Sequence, residues 1–221
     1  MLRGVIFDLD GVIVDTAKYH FLAWARLAET LGFEFTEKDN ERLKGVSRMQ
    51  SLEFLLQTGG VTVPEEEKER LAQNKNEWYL EFIYKLEEDE ILSGVKEFLT
   101  ELRSNGIRIS LGSASKNSPI ILERLKIIDL FDEIVDGRDT NRVKPDPQVF
   151  QIGAQKLGLT CEECIVFEDA FSGIEAAHSA GMKAVGIGSK ENLPNADYLI
   201  YDLGQMNLEL LNRIFNGENV I

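Results

Sequence analysis

The chain has 221 residues, of which 43% are hydrophobic and 28% are charged, so it can bury a real core and hold one domain plus a sizeable insertion. Its formal net charge of −14 would repel a nucleic-acid backbone. It has no apolar run of the roughly 18 to 20 residues that a membrane span requires, and Asp8 and Asp10 interrupt its apolar N-terminal stretch, unlike a signal peptide. We therefore expect a cytoplasmic protein with no nucleic-acid or membrane partner.

The first predicted element is a strand with the sequence GVIF, and aspartates follow it closely. In an extended chain, residues two apart point the same way, so the carboxylates of Asp8 and Asp10 can face one site. Asp15 instead precedes Thr16 at a predicted helix start, where a capping role is expected. Two of the three aspartates are therefore candidates for chemistry.

Residues 16–89 contain three predicted helices and no convincing strand. The helical segments are TAKYHFLAWARLAETLG, SRMQSLEFLLQTGG and EEEKERLAQNKNEWYLEFIYKLEED. We interpret 16–89 as a small helical cap domain, inserted into a core domain formed by 1–15 and 90–221.

Strands and helices alternate through the rest of the chain. The predicted strands are 107–111, 133–136, 164–167 and 183–187. Amphipathic segments at 93–106 and 147–158 are predicted helices, each ending at a glycine. This alternation predicts an α/β fold with a doubly wound parallel sheet.

Polar residues collect where the predicted strands end, which is the edge at which such sheets bind ligands. The segment GSASKN combines small hydroxyl residues with a helix start, which suits phosphate oxygens. Lys144 lies in KPDP, and Glu168 and Asp169 follow the strand CIVF. Together with Asp8 and Asp10 these carboxylates would repel one another unless a cation intervenes, and Mg²⁺ is commonly held by carboxylates and substrate phosphate.

The segments DLDGVIVDT, GSAS, KPDP and FED resemble, in matching order, the four motifs of the haloacid dehalogenase superfamily of phosphotransferases. More narrowly, DTAKYHFLAW, LKGVSR, NKNEWY and GSASKN resemble the β-phosphoglucomutase family, which interconverts β-glucose 1-phosphate and glucose 6-phosphate. The resemblance implies a haloacid dehalogenase core with a helical cap, and a small sugar phosphate as substrate.

By this resemblance, Asp8 is the nucleophile that becomes an aspartyl phosphate, and Asp10 is the general acid and base. Mg²⁺ would be held by the Asp8 side chain, the Asp10 backbone carbonyl, Glu168 and Asp169. Ser113, the Ala114 N–H and Lys144 would hold the remaining phosphate oxygens.

The resemblance also implies a grip on a second phosphate, because a bisphosphate intermediate must turn around within the site. Glucose 1,6-bisphosphate would serve as intermediate and activator. Arg48 would bind the non-reacting phosphate. The remaining substrate-binding residues implied are Gly45, Val46, Ser47, Lys75, Ser115, Lys116 and Asn117. His20 would position Asp10 or the sugar, and Thr16 would contact Asp10.

Several alternatives remain open at this stage. A magnesium-dependent sugar-phosphate phosphatase would use the same core and finish with water attacking phosphorylated Asp8. A catalytically silent sugar-phosphate sensor and a phosphonate hydrolase using Lys75 are further readings. The acid at position 10 argues against a dehalogenase, which resembles this chain but carries a different residue there. We expect a monomer, because the predicted cleft is self-contained.

Overall fold

The structure, a computed structural model, describes residues 1–43 and 46–218. Within these residues, six strands form one sheet in the order β3-β2-β1-β4-β5-β6, and every neighbouring pair is parallel. The strands are β1 (Gly4–Phe7), β2 (Arg108–Gly112), β3 (Glu133–Val135), β4 (Cys164–Glu168), β5 (Lys183–Ile187) and β6 (Tyr198–Ile200). The predicted doubly wound parallel sheet is confirmed.

Helices cover both faces of the sheet and build the insertion after β1. Those of the insertion are α1 (Ala17–Thr30), α2 (Glu37–Glu41), α3 (Arg48–Gly59) and α4 (Glu65–Ile83). Those that follow are α5 (Val95–Ser104), α6 (Ser118–Arg124), α7 (Gln148–Lys156), α8 (Phe171–Ser179) and α9 (Leu208–Asn216). None of the helices in the described part of the chain combines the length and the apolar character that crossing a bilayer requires.

Sequence reasoning missed two short elements, α2 and β6. The prediction of three helices in the insertion was wrong because α2, EKDNE, has no apolar periodicity. A capping box starts this helix instead, in which Thr36 and Asp39 bond each other's backbone N–H groups. Strand β6 has only three residues, too few for a periodic pattern to identify it.

The sheet is buried on both faces, which explains the nearly continuous apolar runs of its strands. Val5 and Phe7 of β1 pack into one cluster with α5, whereas Ile6 between them packs into a second cluster with α7. Helices α1, α3 and α4 enclose a third cluster, which includes Trp24 and Leu52. The insertion thus has apolar packing of its own, while the boundaries proposed for a cap domain stay a prediction.

The strand order places the candidate site. Strands β2 and β3 lie on one side of β1, and β4, β5 and β6 lie on the other, so the order in which strands are added reverses between β1 and β4. These strands pair with Phe7 opposite Phe167, and the N–H of Asp8 donates to the Phe167 carbonyl at 3.0 Å. Asp8 therefore lies beside Glu168 at the carboxyl edge of the sheet.

Candidate active site

A cleft of about 1370 Å³ separates the sheet edge from the helical insertion. Its walls include all the predicted site residues except two. Thr16 lies fully buried behind the wall. Gly45 lies outside the described residues, so its predicted role stays a prediction. The fold thus brings together residues that the sequence separates by more than a hundred positions.

Three carboxylates crowd together on the sheet side of the cleft. Asp8, Glu168 and Asp169 each offer an oxygen, and these oxygens lie within 4.8 Å of one another. The buried Lys144 Nζ donates to Asp8 Oδ1 at 2.5 Å and to Glu168 Oε2 at 2.8 Å. Three carboxylate groups beside one ammonium group form an acidic cluster, and carboxylate oxygens are the ligands that a hard divalent cation prefers.

Burial and neighbouring charges shift the pKa values of Glu168 and Lys144. Burial raises the pKa of Glu168 to about 8, and the nearby Asp8 charge adds to the rise while Lys144 opposes it. Burial disfavours the charged form of Lys144, yet Asp8 and Glu168 outweigh that cost and raise the pKa of Lys144. The ammonium group therefore stays charged beside the candidate nucleophile.

Two glycines give the carboxylates their space. A Cβ on Gly11, whose φ is +76°, would lie 2.3 Å from Asp169 Oδ2. A Cβ on Gly173, in the first turn of α8, would lie 2.0 Å from the Glu168 carboxyl carbon. Sequence reasoning missed both positions, although each lies within five residues of a predicted metal ligand.

Asp10 occupies a different environment from Asp8. Thr16 donates to Asp10 Oδ1 from its hydroxyl and, at 3.3 Å, from its backbone N–H. Burial raises the pKa of Asp10 to about 6; the Thr16 hydrogen bond opposes this rise and the Asp8 charge reinforces it. Asp15 is exposed and accepts from the N–H of Ala17, the first residue of α1, at 3.0 Å, whereas the N-cap position itself is occupied by Thr16.

The helical side of the cleft carries buried nitrogen groups. Lys75 is only 2% exposed, and its Nζ forms a hydrogen bond with His20 Nδ1 at 2.7 Å. Burial, together with the nearby Lys75 and Arg48 charges, holds the pKa of His20 well below its usual range. His20 is therefore neutral. Burial and Arg48 likewise lower the pKa of Lys75.

Arg48 and the GSASKN segment face one another across the cleft. Arg48 is the first residue of α3, where a capping box between Ser47 and Gln50 starts the helix. On the sheet side, the Ser113 hydroxyl accepts from the Ser115 N–H at 3.1 Å and so orders the loop after β2. The further cleft residues predicted there and on the facing wall are Val46, Ala114, Lys116 and Asn117.

Three residues of this region were missed by sequence reasoning. The Tyr79 hydroxyl lies 3.0 Å from the Thr16 hydroxyl. Asn76 Oδ1 accepts from Asn117 Nδ2 at 2.8 Å, which joins α4 to the sheet edge. Asn40 lines the cleft, and its buried Oδ1 has no hydrogen-bond partner within the described residues. The four-residue spacing of Lys75 and Tyr79 places both on one face of α4 and was the available signal.

Residues 5–187 match the family described as haloacid dehalogenase-like hydrolase. A β-phosphoglucomutase of Bacillus subtilis is 44% identical over 95% of this chain and 94% of its own length. A phosphorylated carbohydrates phosphatase of Thermotoga maritima is 34% identical over 83% of this chain and 84% of its own length. The crystal structure of a β-phosphoglucomutase from Clostridium difficile superimposes with a TM-score of 0.95 at 42% identity, covering 98% of both chains.

The neutral state of His20 predicts a pH dependence of stability. The groups facing it are Lys75 and Tyr79 on α4 and Arg48 on α3. Because its folded-state pKa is depressed, the stabilisation is complete above the unfolded value near 6.5 and is lost as pH falls below it. Between pH 7 and 5.5 this group should contribute a loss approaching ~1.4 kcal/mol per pH unit. Because the raised pKa values of Glu168 and Asp10 act in the opposite direction, the measurement is the difference in urea unfolding between the wild type and a variant without the ring.

His20→Gln removes the titrating ring and should flatten this part of the pH dependence. The matched control is His178→Gln, because His178 lies on α8 away from the cleft and is the chain's only other histidine. A wild-type slope in His20→Gln would contradict the assignment of a buried neutral imidazole.

Proposed function

The chain belongs to the haloacid dehalogenase-like hydrolase family, and within this family we propose that it is an isomerase that interconverts β-D-glucose 1-phosphate and glucose 6-phosphate. The observation that carries this proposal is the two-sided cleft. Phosphoryl-transfer groups line its sheet wall, and the nitrogen groups of Arg48 and Lys75 line the facing wall. Two anion-binding walls suit an intermediate with two phosphates. The likeness to two β-phosphoglucomutases supports the same reaction.

Asp8 and Asp10 carry the proposed chemistry. Phosphorylated Asp8 gives its phosphoryl group to the 6-hydroxyl of the sugar, while Asp10 takes the hydroxyl proton. The resulting glucose 1,6-bisphosphate turns around in the cleft. An Asp8 oxygen then bonds the phosphorus at position 1, the bond from that phosphorus to the sugar oxygen breaks, and Asp10 returns the proton to the departing oxygen. Ser113, Ala114 and Lys144 hold the remaining phosphate oxygens.

We propose Mg²⁺ as the cofactor of this site. The side chains of Asp8, Glu168 and Asp169 fit it through their clustered oxygens, and the Asp10 backbone carbonyl would complete the protein ligands. The ion would offset the repulsion between these carboxylates and an incoming phosphate.

We propose that residues 16–89 act as a cap that grips the second phosphate. Arg48 would bind it bidentately, with Ser115, Lys116 and Asn117 on the opposite wall. Binding energy from this remote phosphate can close the cap and align the reacting one. His20 and Lys75 would face the sugar, with Val46 and Ser47 beside it. A monomeric state and a cytoplasmic location stay predictions.

The first test supplies the protein with Mg²⁺, β-glucose 1-phosphate and a trace of glucose 1,6-bisphosphate. We expect rapid formation of glucose 6-phosphate with little free phosphate. Asp8→Asn should abolish turnover, because an amide cannot accept the phosphoryl group, and should leave the circular dichroism spectrum unchanged. Free phosphate without isomerisation would identify the phosphatase alternative, which one relative's name illustrates.

Removal of one metal ligand tests the cofactor. Glu168→Gln keeps the side-chain shape but removes a charge, so we expect at least tenfold weaker Mg²⁺ binding by calorimetry and loss of Mg²⁺-dependent turnover. Glu162→Gln is the matched control, because Glu162 lies in a short 3-10 turn before the opposite end of β4 and outside the cleft. Equal Mg²⁺ affinity in the two variants would contradict the assigned ligand set.

Arg48→Ala tests the second phosphate grip. Losing a charge-assisted contact of about 1.5–3 kcal/mol should slow isomerisation roughly 10- to 100-fold. Hydrolysis of acetyl phosphate, which has no second phosphate, should change little. Arg26→Ala, on α1 and ion-paired with Glu81, is the control for loss of an arginine from the insertion. Equal losses in both Arg48→Ala assays would count against the grip.

A further inference from the structure

The loop between β3 and α7 carries two cations in very different settings. Lys144 has a side chain that is only 3% exposed, and its Nζ is bonded to Asp8 and Glu168. Arg142, two residues earlier, also lines the cleft, but its side chain is 67% exposed. Arg142 therefore lies at the mouth of the cleft, by which we mean the part of the lining that is open to solvent.

The backbone beside Arg142 is held in place without the help of its side chain. Gln148, the first residue of α7, accepts from the backbone N–H groups of Asn141 and Arg142 at 2.9 Å each. Asp146 Oδ1 accepts in turn from the Gln148 N–H at 3.0 Å. A change in the Arg142 side chain should consequently leave the loop, and the Lys144 that it carries, in place.

The guanidinium group of Arg142 is engaged by an exposed ion pair. It donates to Asp146 Oδ2 at 3.1 Å, and both side chains reach solvent. Exposed ion pairs contribute little to stability, because water and salt screen them. A phosphate dianion carries two charges, and its oxygens match the fork of a guanidinium group. Asp146 is therefore a weak competitor that a phosphate group can displace.

The charges around the cleft make a cation at its mouth useful. The chain has a net charge of −14, and the sheet wall holds the acidic cluster of Asp8, Glu168 and Asp169. These charges repel a phosphate dianion before it can reach the buried Lys144. A cation at the open mouth opposes this repulsion and raises the association rate, an effect that weakens as salt screens it.

We propose that Arg142 recruits the phosphate group of the entering sugar phosphate, which takes the place of Asp146 on its guanidinium group. The inference rests on the proposed function, because it takes a sugar phosphate as the substrate. It adds a binding residue on the loop of Lys144, separate from the second-phosphate grip proposed for Arg48.

The test measures isomerisation of β-glucose 1-phosphate by Arg142→Gln at low ionic strength. We expect kcat/KM to fall roughly 3- to 10-fold with kcat unchanged, because the charge acts on entry of the substrate. At about 0.5 M salt, where screening leaves a range of only a few ångströms, the variant and the wild type should have similar kcat/KM. An unchanged kcat/KM at low ionic strength would overturn the proposal. A fall in kcat would show that the loop is displaced and would overturn it too.

Two further variants control for charge and for structure. Arg3→Gln loses the same charge from a side chain that is 54% exposed and paired with Glu163 outside the cleft, so it should keep the wild-type kcat/KM. Equal falls in Arg3→Gln and Arg142→Gln would show an effect of net charge alone and would overturn the proposal. Arg142→Lys keeps the charge and should keep most of kcat/KM. A loss as large as that of Arg142→Gln would show a structural role instead.

Asp146→Asn tests the exchange of partners. The asparagine side chain can still accept from the Gln148 N–H, but the charge that competes with the phosphate is gone. We expect kcat/KM to rise at low ionic strength, and to rise less in an Arg142→Gln background, where there is no guanidinium group to release. Equal gains in the two backgrounds, or no gain, would contradict the exchange.

The outcomes separate this inference from the proposed function. A wild type that isomerises, with an equal kcat/KM in Arg142→Gln, would overturn only the role of Arg142. A wild type that releases phosphate without isomerising would overturn the proposed function. The comparison of Arg142→Gln with Arg3→Gln then uses kcat/KM for hydrolysis of the same sugar phosphate, and equal values there would overturn the role of Arg142.

Discussion

The crowding of carboxylates at the ends of β1 and β4 is the constraint on which the rest of the site depends. Asp8, Glu168 and Asp169 converge where the strand order reverses between β1 and β4, and two of the three are buried. Burying like charges costs free energy, which the Lys144 ammonium group, a raised pKa of Glu168 and a bound cation can each offset. The buried core on both faces of the sheet holds the strand ends in this unfavourable arrangement. The carboxylates therefore lie where Asp8 would attack an electrophilic phosphorus.

The cleft wall on the helical insertion carries nitrogen groups instead of carboxylates. A chain with a net charge of −14 must still attract an anionic substrate, so positive groups have to be concentrated at the cleft. Lys75 is buried with a histidine nitrogen as its hydrogen-bond partner and with the rings of Trp24 and Tyr79 close to its Nζ. Because Lys75 bonds a histidine nitrogen, its other N–H groups can donate to an anion or a hydroxyl group of a ligand.

Much of this arrangement could be predicted because it depends on local patterns. The sequence around Asp8 and Glu168 predicts strand ends, and parallel strands bring such ends to one edge. Residues whose importance arises only from contacts in the folded chain leave weaker signals in the sequence. Tyr79 reads as a packing residue until Thr16 is found beside it, and Gly173 reads as an ordinary helix glycine until Glu168 is found 2.0 Å from its missing Cβ. The short elements α2 and β6 carry too few residues for periodicity.

The division of labour between core and insertion bears on how one core serves both mutases and phosphatases. In either proposed reaction Asp8 takes up the phosphoryl group, and the outcome depends on whether a sugar hydroxyl or water removes it. The phosphoryl-transfer groups at the sheet edge do not by themselves favour the sugar, because they would serve either acceptor. The helical insertion can favour it through the proposed grip of Arg48 on the second phosphate. Binding energy from that phosphate would hold the sugar hydroxyl beside Asp8, an advantage that water lacks because it carries no phosphate.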